Sequence, residues 1–528
     1  MNAYLIGMLI SLAAYVIIGF LISRKVKTSN DYYVAGRKAP TALIVGSLVA
    51  SYCSTNYFMA DAGEIYSGLF FAEFLCGIIL SGGYILGAVF FGRFLRRSEA
   101  LTIPEFLGRR FHSKAVQKLA AVTEIVSMAV YLLSVIQAIG ILMSAVTGLE
   151  YHTSILIALL VFTVLTVSSG ANGVLITDTI MFGFFTLAMV ISLLVIVQKA
   201  GGWAETVGKV TAVNSSLLSW HGDLSYFYPT GAQNMVWTLS FSLVWTGVCM
   251  VAPWQTSRYL MAKNEHTVIR SSVYAFGFVL LLTLFLCFGS VFIHAFRPEL
   301  ESASHVWLWA AMNILPTVLG VILLTGLLAA GISSATTFLS LIGASMANDL
   351  FEIGDDQKRI RVGRISIVVA AAVILAVSRL DSPMVFVIMN LSTNVITAAW
   401  LPVCLAAVWS KRVTKTGAFW GMLIGFVSSG VVKIIASFSD NLLPPYFDAF
   451  YIGVILNILA IVIGSALTKP AREELEAYHA LHIMPQSELV PAEIRKTRFS
   501  LKLYFVFCAA IVALMIVLWV IPYWKALG

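Results

Sequence analysis

Stretches of about twenty apolar residues recur from one end of this chain to the other, separated by polar joints. Each is long enough to cross a hydrocarbon core of roughly 30 Å as a helix. Fourteen such segments are predicted, at 3–23, 41–62, 68–92, 119–147, 153–169, 174–198, 235–252, 271–296, 317–347, 362–378, 384–409, 417–437, 448–468 and 501–522. The pattern is that of an all-α polytopic membrane protein. Residues 3–23 form too long an apolar run for a secretory leader and lack a small-residue cleavage site, so they read as the first crossing. Two joints carry structure of their own. Residues 98–116, SEALTIPEFLGRRFHSKAV, suit a short helix at the membrane surface, and 470–499 suit a solvated helical hairpin.

Composition agrees: 59% of the 528 residues are apolar and 11% charged, against about 25% charged in a soluble domain. A net charge of +8 suggests nucleic acid at first sight, but the basic residues sort by membrane side instead. Joints after odd-numbered segments hold 27 of the 34 Lys and Arg, whereas the other joints and the tail hold 5. Basic joints face the cytoplasm, so both termini are expected outside, in a plasma membrane (the inner membrane of a bacterium). The six cysteines all lie in apolar stretches and read as packing, not as a disulfide framework or metal site. No His-Glu metal spacing, nucleophile–base constellation or glycine-rich phosphate loop points to an enzyme. The histidines at 112, 152, 221, 266, 294 and 305 are scattered near segment ends and joints.

Polar groups inside hydrocarbon have to be satisfied within the protein, so clusters of them mark cavities or ion paths. The second segment holds one in LVASYCSTNYFMADAGEIY, 48–66. Entering from the cytoplasm at residue 41, that segment places Cys53 about 18 Å in, near the midplane. An interrupted helix there presents freed carbonyls to a cation and freed amides to an anionic group. No Gly or Pro between 47 and 59 announces a break. The alternative is a continuous helix whose small polar residues pack against neighbours. In the seventh segment Gly247 lies at the matching depth from the opposite side and Pro253 follows. This predicts a paired interruption and an inverted repeat. In the ninth, LLAAGISSATTFLSLIGASMANDL (327–350), Ser333, Thr337 and Ser340 share one face, with Ala330 a turn earlier and Ser334 and Thr336 flanking. Hydroxyl and carbonyl oxygens are hard ligands suited to alkali or alkaline-earth cations. Asp178, in GVLITDTIMF, is a candidate carboxylate; its plainer reading is a residue at the cytoplasmic end of a helix.

Five stretches carry a wider likeness. SNDYYVAGRKAP (29–40), TIPEFLGRRF (102–111), SGANGVLITDTI (169–180), QTSRYLMAKN (255–264) and LAAGISSATTFLSLIGASMANDLFE (328–352) resemble the signature segments of the sodium:solute symporter family, in the same order. The likeness covers segments one to thirteen. It implies the five-plus-five inverted repeat of the leucine-transporter fold behind one extra helix. The division would be 1–40, a first repeat 41–198, an outer loop 199–234, a second repeat 235–409, and 410–528. It implies a co-transported sodium ion held by the carbonyls of Ala50, Cys53 and Ala330 and the hydroxyls of Ser333 and Ser334. Some members hold a second sodium, for which the matching residues are Asp178, Ser333, Thr336 and Thr337. One departure stands out: where the proline carriers of the family have an acidic residue in the second-helix break, this chain has Tyr52. Sugar-binding residues of the glucose cotransporters are not matched either.

The expected function is sodium-coupled import of a small organic solute bound between segments two, three, four and seven. Tyr52, Tyr57 and Phe58 offer an aromatic wall with cation–π contact to an ammonium; Ser54, Asn56, Gln137 and Gly247 are further candidates for the solute site. Asp61, Glu64 and Glu73 are expected in an outer vestibule, where three carboxylates raise the local cation concentration. Together these favour a zwitterion or amine such as an amino acid. A sugar, vitamin or monocarboxylate is the alternative within the class. Proton coupling through Asp178, or a transporter-like sensor without uptake, are the rivals outside it. A sensor output is not expected within this chain, which ends six residues after its last segment.

Overall fold

The computed structural model describes residues 3–23, 28–226, 228–379, 385–438 and 444–528. Arg24, Lys25 and Lys27 of the first basic joint, and position 384 at the start of the expected eleventh segment, lie outside the described residues. The principal helices are α1 (Ala3–Ser23), α2 (Thr41–Tyr52), α3 (Phe70–Gly87), α4 (Ile103–Arg110), α5 (Lys114–Thr147), α6 (Tyr151–Lys199), α7 (Gly231–Val251), α8 (Pro253–Met261), α9 (Glu265–Val291), α10 (Thr317–Ser345), α11 (Asp356–Val377), α12 (Val385–Trp409), α13 (Lys415–Phe438), α14 (Ala449–Ala466), α15 (Arg472–His482) and α16 (Pro491–Met515). Among the described residues the regular structure is all helical, with one isolated β-bridge between Ala39 and Ala262. Twelve described helices are long and apolar enough to cross a membrane, and the apolar stretches Ala3–Tyr15 and Thr41–Tyr52 are shorter. The figure falls below fourteen partly because 57–97 runs on as one helical stretch through a kink at Gly68.

Two glycines interrupt long helical stretches. Gly68 adopts φ 124°, a conformation open to glycine alone at little strain. Beyond it, α3 packs against α7 and α9. Gly170, at φ 59° and ψ −175°, divides α6 into two spans. The expected joint at 170–173 thus shrinks to a single residue.

The centre of the bundle is where α2, α5, α6, α8 and α10 meet. α13, α14 and α16 lie at the rim with long exposed apolar faces, as lipid contact requires. The surface helix expected in 98–116 is α4, capped by Thr102, whose hydroxyl accepts the Glu105 N–H at 3.1 Å. The hairpin expected in 470–499 is only half there. α15 supplies one arm, but the other is the start of α16, which continues into the apolar stretch without interruption.

Arg110, at the end of α4, is buried and pins this surface layer to the bundle. Its guanidinium donates to the Ala407 carbonyl (2.6 Å), the Ser410 carbonyl (3.1 Å) and the Glu474 carbonyl (3.0 Å). It therefore satisfies the C-terminal end of α12, where carbonyls lack helical donors. Burial pulls its pKa down to about 10. Arg110→Ala is expected to lower stability by about 2–3 kcal/mol, because buried carbonyls lose a charged donor. Thermal unfolding of the detergent-solubilised protein measures this. Arg110→Lys, which keeps the charge but not the fork, should recover only part of the loss.

Candidate functional site

The second segment is broken. α2 stops at Tyr52, and Cys53 takes φ −76° and ψ 71°, the geometry of an inverse γ-turn. The Ser54 N–H closes that turn on the Tyr52 carbonyl at 2.8 Å, and the Tyr57 N–H goes to the Ser54 carbonyl at 3.1 Å. In an uninterrupted helix these two donors would serve Ala50 and Cys53. The carbonyls of Ala50 and Cys53 are therefore released at the break, with no glycine or proline causing it. Tertiary contacts hold the bend: Thr55 Oγ1 donates to the Leu327 carbonyl of α10 at 3.1 Å. A Cβ on Gly331 would come within 2.1 Å of Thr55 Oγ1, so only the bare backbone of α10 admits this approach.

Across the break, Ala330, Ser333 and Ser334 are buried on α10. The Ser334 hydroxyl is buried and has no hydrogen-bond partner among the described residues. Released carbonyls on one helix and an unpaired hydroxyl on the facing helix are what an alkali-cation site needs from its donors.

Asp178 is buried at the centre of a polar knot, not at a helix end facing water. Its carboxylate accepts from the hydroxyl of Ser333 (2.6 Å), from Ser47 and from Arg258 Nη2 (3.1 Å). The same guanidinium nitrogen donates to Thr337 Oγ1 at 2.7 Å, and Arg258 Nε donates to Ser47 Oγ at 3.0 Å. Of the four residues expected to hold a second cation, Asp178 and Ser333 touch directly and Thr337 joins them through Arg258. Thr336 turns back to the Ser333 carbonyl at 3.1 Å. A guanidinium thus supplies the positive charge beside this carboxylate. Arg258 was counted among the basic residues of a joint; it is buried in the bundle. The signal for it was an arginine in a segment, PWQTSRYLM, whose every residue proves buried. On the far side of Arg258 and Thr337 lies a cavity of about 40 Å³, also lined by Ser340, Glu124, Thr102 and Tyr33.

The expected interruption of the seventh segment falls elsewhere. α7 runs unbroken through Gly247, and the chain straightens at Ala252 (φ −62°, ψ 139°) before Pro253 opens α8. A residue before proline is steered out of the helical region, which fixes the break at Ala252. Gly247 packs against α12: a Cβ there would meet Thr397 Cγ2 at 2.3 Å.

Around the break the other expected solute residues do converge. The Tyr52 ring packs on Tyr57 (5.3 Å) and edge-on to Trp245 of α7 (5.8 Å). Tyr57 also meets Phe58 at 5.4 Å and its hydroxyl donates to Thr283 Oγ1 of α9 at 3.4 Å. Asn56 Nδ2 donates to Ser134 Oγ of α5 at 2.7 Å, and Gln137 lies one turn on along the same face. Asn56 Oδ1 and Gln137 Oε1 are buried without hydrogen-bond partners among the described residues, as are Asn394 Oδ1 and Thr397 Oγ1 of α12. Trp245, Asn394 and Thr397 are not among the sequence candidates: Trp245 sits in an apolar run, whereas Asn394 and Thr397 belong to NLSTNVIT (390–397), a polar cluster inside the eleventh segment that is the signal for them. Ser54 is buried beside them.

The acidic trio is not an open vestibule. Asp61 and Glu73 are 6% and 7% exposed, and Asp61 Oδ1 and Glu73 Oε1 lack hydrogen-bond partners among the described residues. Segments from distant parts of the chain pack on the same helical stretch. Asp223 N–H donates to the Gly68 carbonyl at 3.1 Å, and Ser304 packs on Gly63. Glu64 is half-buried and accepts from the Tyr226 hydroxyl at 3.0 Å.

A bundle of membrane-crossing helices around one broken helix, with ion-type donors at the break, is the plan of a secondary transporter. The family profile "Sodium:solute symporter family" matches residues 32–425, and the chain belongs to that family. It is a multi-pass membrane transporter and not an enzyme. Among characterised relatives, the sodium/proline symporter of Salmonella typhimurium is 23% identical over 91% of this chain and 98% of its own length. The high-affinity proline transporter of Bacillus subtilis is 21% identical over 82% and 94%. Among solved structures, a Na+-coupled sialic acid symporter in a substrate-bound outward-open state superimposes with a TM-score of 0.71 at 18% identity, over 89% of this chain and 99% of that one. A nucleobase-cation-symport-1 transporter in a closed conformation gives 0.60 at 12% identity, over 86% and 99%. These likenesses establish the fold.

Proposed function

We propose that this protein is a sodium-coupled symporter that imports a small amine-bearing solute of the amino-acid class. One observation carries the reading: the break at Cys53 frees two carbonyls at the end of α2, and α10, which packs against α2, carries the Ser334 hydroxyl, unpaired among the described residues. Ala50, Cys53, Ala330, Ser333 and Ser334 hold the ion, and the side-chain atoms around Tyr52, Asn56, Tyr57 and Gln137 take the solute. Fourteen crossings arranged as two inverted five-helix repeats, with both termini outside, fit the distribution of basic joints. Asp178 and Arg258 neutralise each other, so one sodium per cycle is the simpler stoichiometry.

Sodium binds first and fixes the break against α10; the solute then closes the aromatic wall, and the bundle rocks to expose the inner side. Each sodium crossing 100 mV contributes about 2.3 kcal/mol, before any concentration gradient. The relatives named above carry proline, and the buried, unpaired oxygens of Asp61 and Glu73 near the break favour an ammonium over an acidic or sugar solute. The test is uptake by proteoliposomes under an imposed sodium gradient, with proline and other amino acids as competitors. Uptake should vanish in sodium-free medium. Uptake driven equally by a proton gradient without sodium, or displaced by sugars and dicarboxylates but not by amino acids, refutes the proposal.

A further inference from the structure

Two cavities at the rim, remote from the break, form one continuous surface. The first, about 550 Å³, is lined by Thr41, Arg270, Arg495, Lys496, Ser500 and Tyr274. It lies where α9 and α16 leave the apolar zone on the side of the basic joints. The second, about 280 Å³, is a mainly apolar groove between the same two helices, lined by Gly277, Leu281, Leu284, Ala510 and Leu514. Tyr274 lines both. From Tyr274 to Leu284 is ten residues, or about 15 Å of helix, the depth of one leaflet of a roughly 30 Å core.

Charge and shape ask for the same occupant. Among the described residues one carboxylate, Glu493, pairs with two of the three cations of the polar cavity, Arg270 at 2.7 Å and Lys496 at 3.6 Å. A net positive charge therefore remains at headgroup level. Below it, α9 and α16 touch through Phe276 and Tyr504 (4.8 Å) and through Gly277, where a Cβ would meet Phe507 at 2.8 Å. The groove lies beside these contacts. Basic pockets between crossing helices on this side bind anionic lipid headgroups.

We propose that this surface is a specific site for an anionic phospholipid, its phosphate among Arg270, Arg495 and Lys496 and one acyl chain in the groove. The lipid fastens α16, which is buried little in the bundle, to α9. α9 in turn carries Thr283 against Tyr57 of the solute site.

The experiment is native mass spectrometry of the full-length protein in nonionic detergent, titrated with phosphatidylglycerol, phosphatidylcholine or inorganic phosphate. Phosphatidylglycerol should be retained at one copy and phosphatidylcholine should not. The double variant Arg495→Gln with Lys496→Gln should weaken retention roughly 30-fold, since each basic residue near an anionic headgroup contributes about fivefold. Ala510→Trp, an exposed position, fills the groove and should displace the lipid with the charges intact. Equal retention of phosphatidylcholine overturns the proposal, as does unchanged affinity in both variants. So does competition by inorganic phosphate alone that Ala510→Trp leaves unaltered.

Discussion

Asp178→Ala is expected to abolish uptake and to destabilise the protein by about 3–5 kcal/mol, the usual penalty for leaving half of a buried ion pair behind. Both partners are buried, with side-chain exposures of 0% for Asp178 and 2% for Arg258. The carboxylate also orients Ser47 and Ser333, so three donors lose their acceptor together. Ser333 is a proposed sodium ligand, and its hydroxyl would be free to turn away from the ion. Thermal unfolding and sodium-driven uptake separate the two effects. The double variant Asp178→Leu with Arg258→Met removes both charges. It should regain most of the stability, because apolar replacement of a whole buried pair is often neutral, yet it should remain inactive. Wild-type uptake by Asp178→Ala would remove this knot from the transport machinery.

The second large effect is expected from a residue that contributes little to the fold. Ser334 Oγ has no partner to lose among the described residues, so Ser334→Ala should leave the sodium-free thermal midpoint unchanged. Sodium should stabilise the wild type by mass action. The variant should need about tenfold more sodium for the same stabilisation and for half-maximal uptake, the value of one lost bond to a charged group. An unaltered sodium requirement would take Ser334 out of the ion site. A large loss of midpoint without sodium would instead make it a packing residue.

Much of this architecture could be read from the residues because the bilayer imposes simple rules. Apolar length gave the segments, and the sorting of Lys and Arg gave an orientation to test. The cluster from Ser51 to Asn56 marked the break by depth alone, and the hydroxyl face of α10 marked its partner. What could not be read depended on distant chain. Arg258 looked like one more basic joint residue, since nothing local says that α8 folds inward after Pro253. Asp61 and Glu73 looked solvated, because the segments that pack on their helical stretch come from around Asp223 and Ser304. Gly247 drew attention as a helix breaker, whereas its use is to let Thr397 approach. Proline, not glycine, set the interruption, and only at the end of α7.

The break in α2 also has a history during synthesis. Its sequence has no breaker, and the bond that holds the bend joins Thr55 to Leu327, 272 residues later. On entering the bilayer alone, 41–66 has no partner for an opened backbone, and unsatisfied groups there are prohibitive. It must therefore insert as an ordinary straight helix and be bent afterwards, when α10 arrives. The proposed sodium site is thus absent from every nascent chain that ends before α10, and such a half-made protein carries no formed ion path across the membrane.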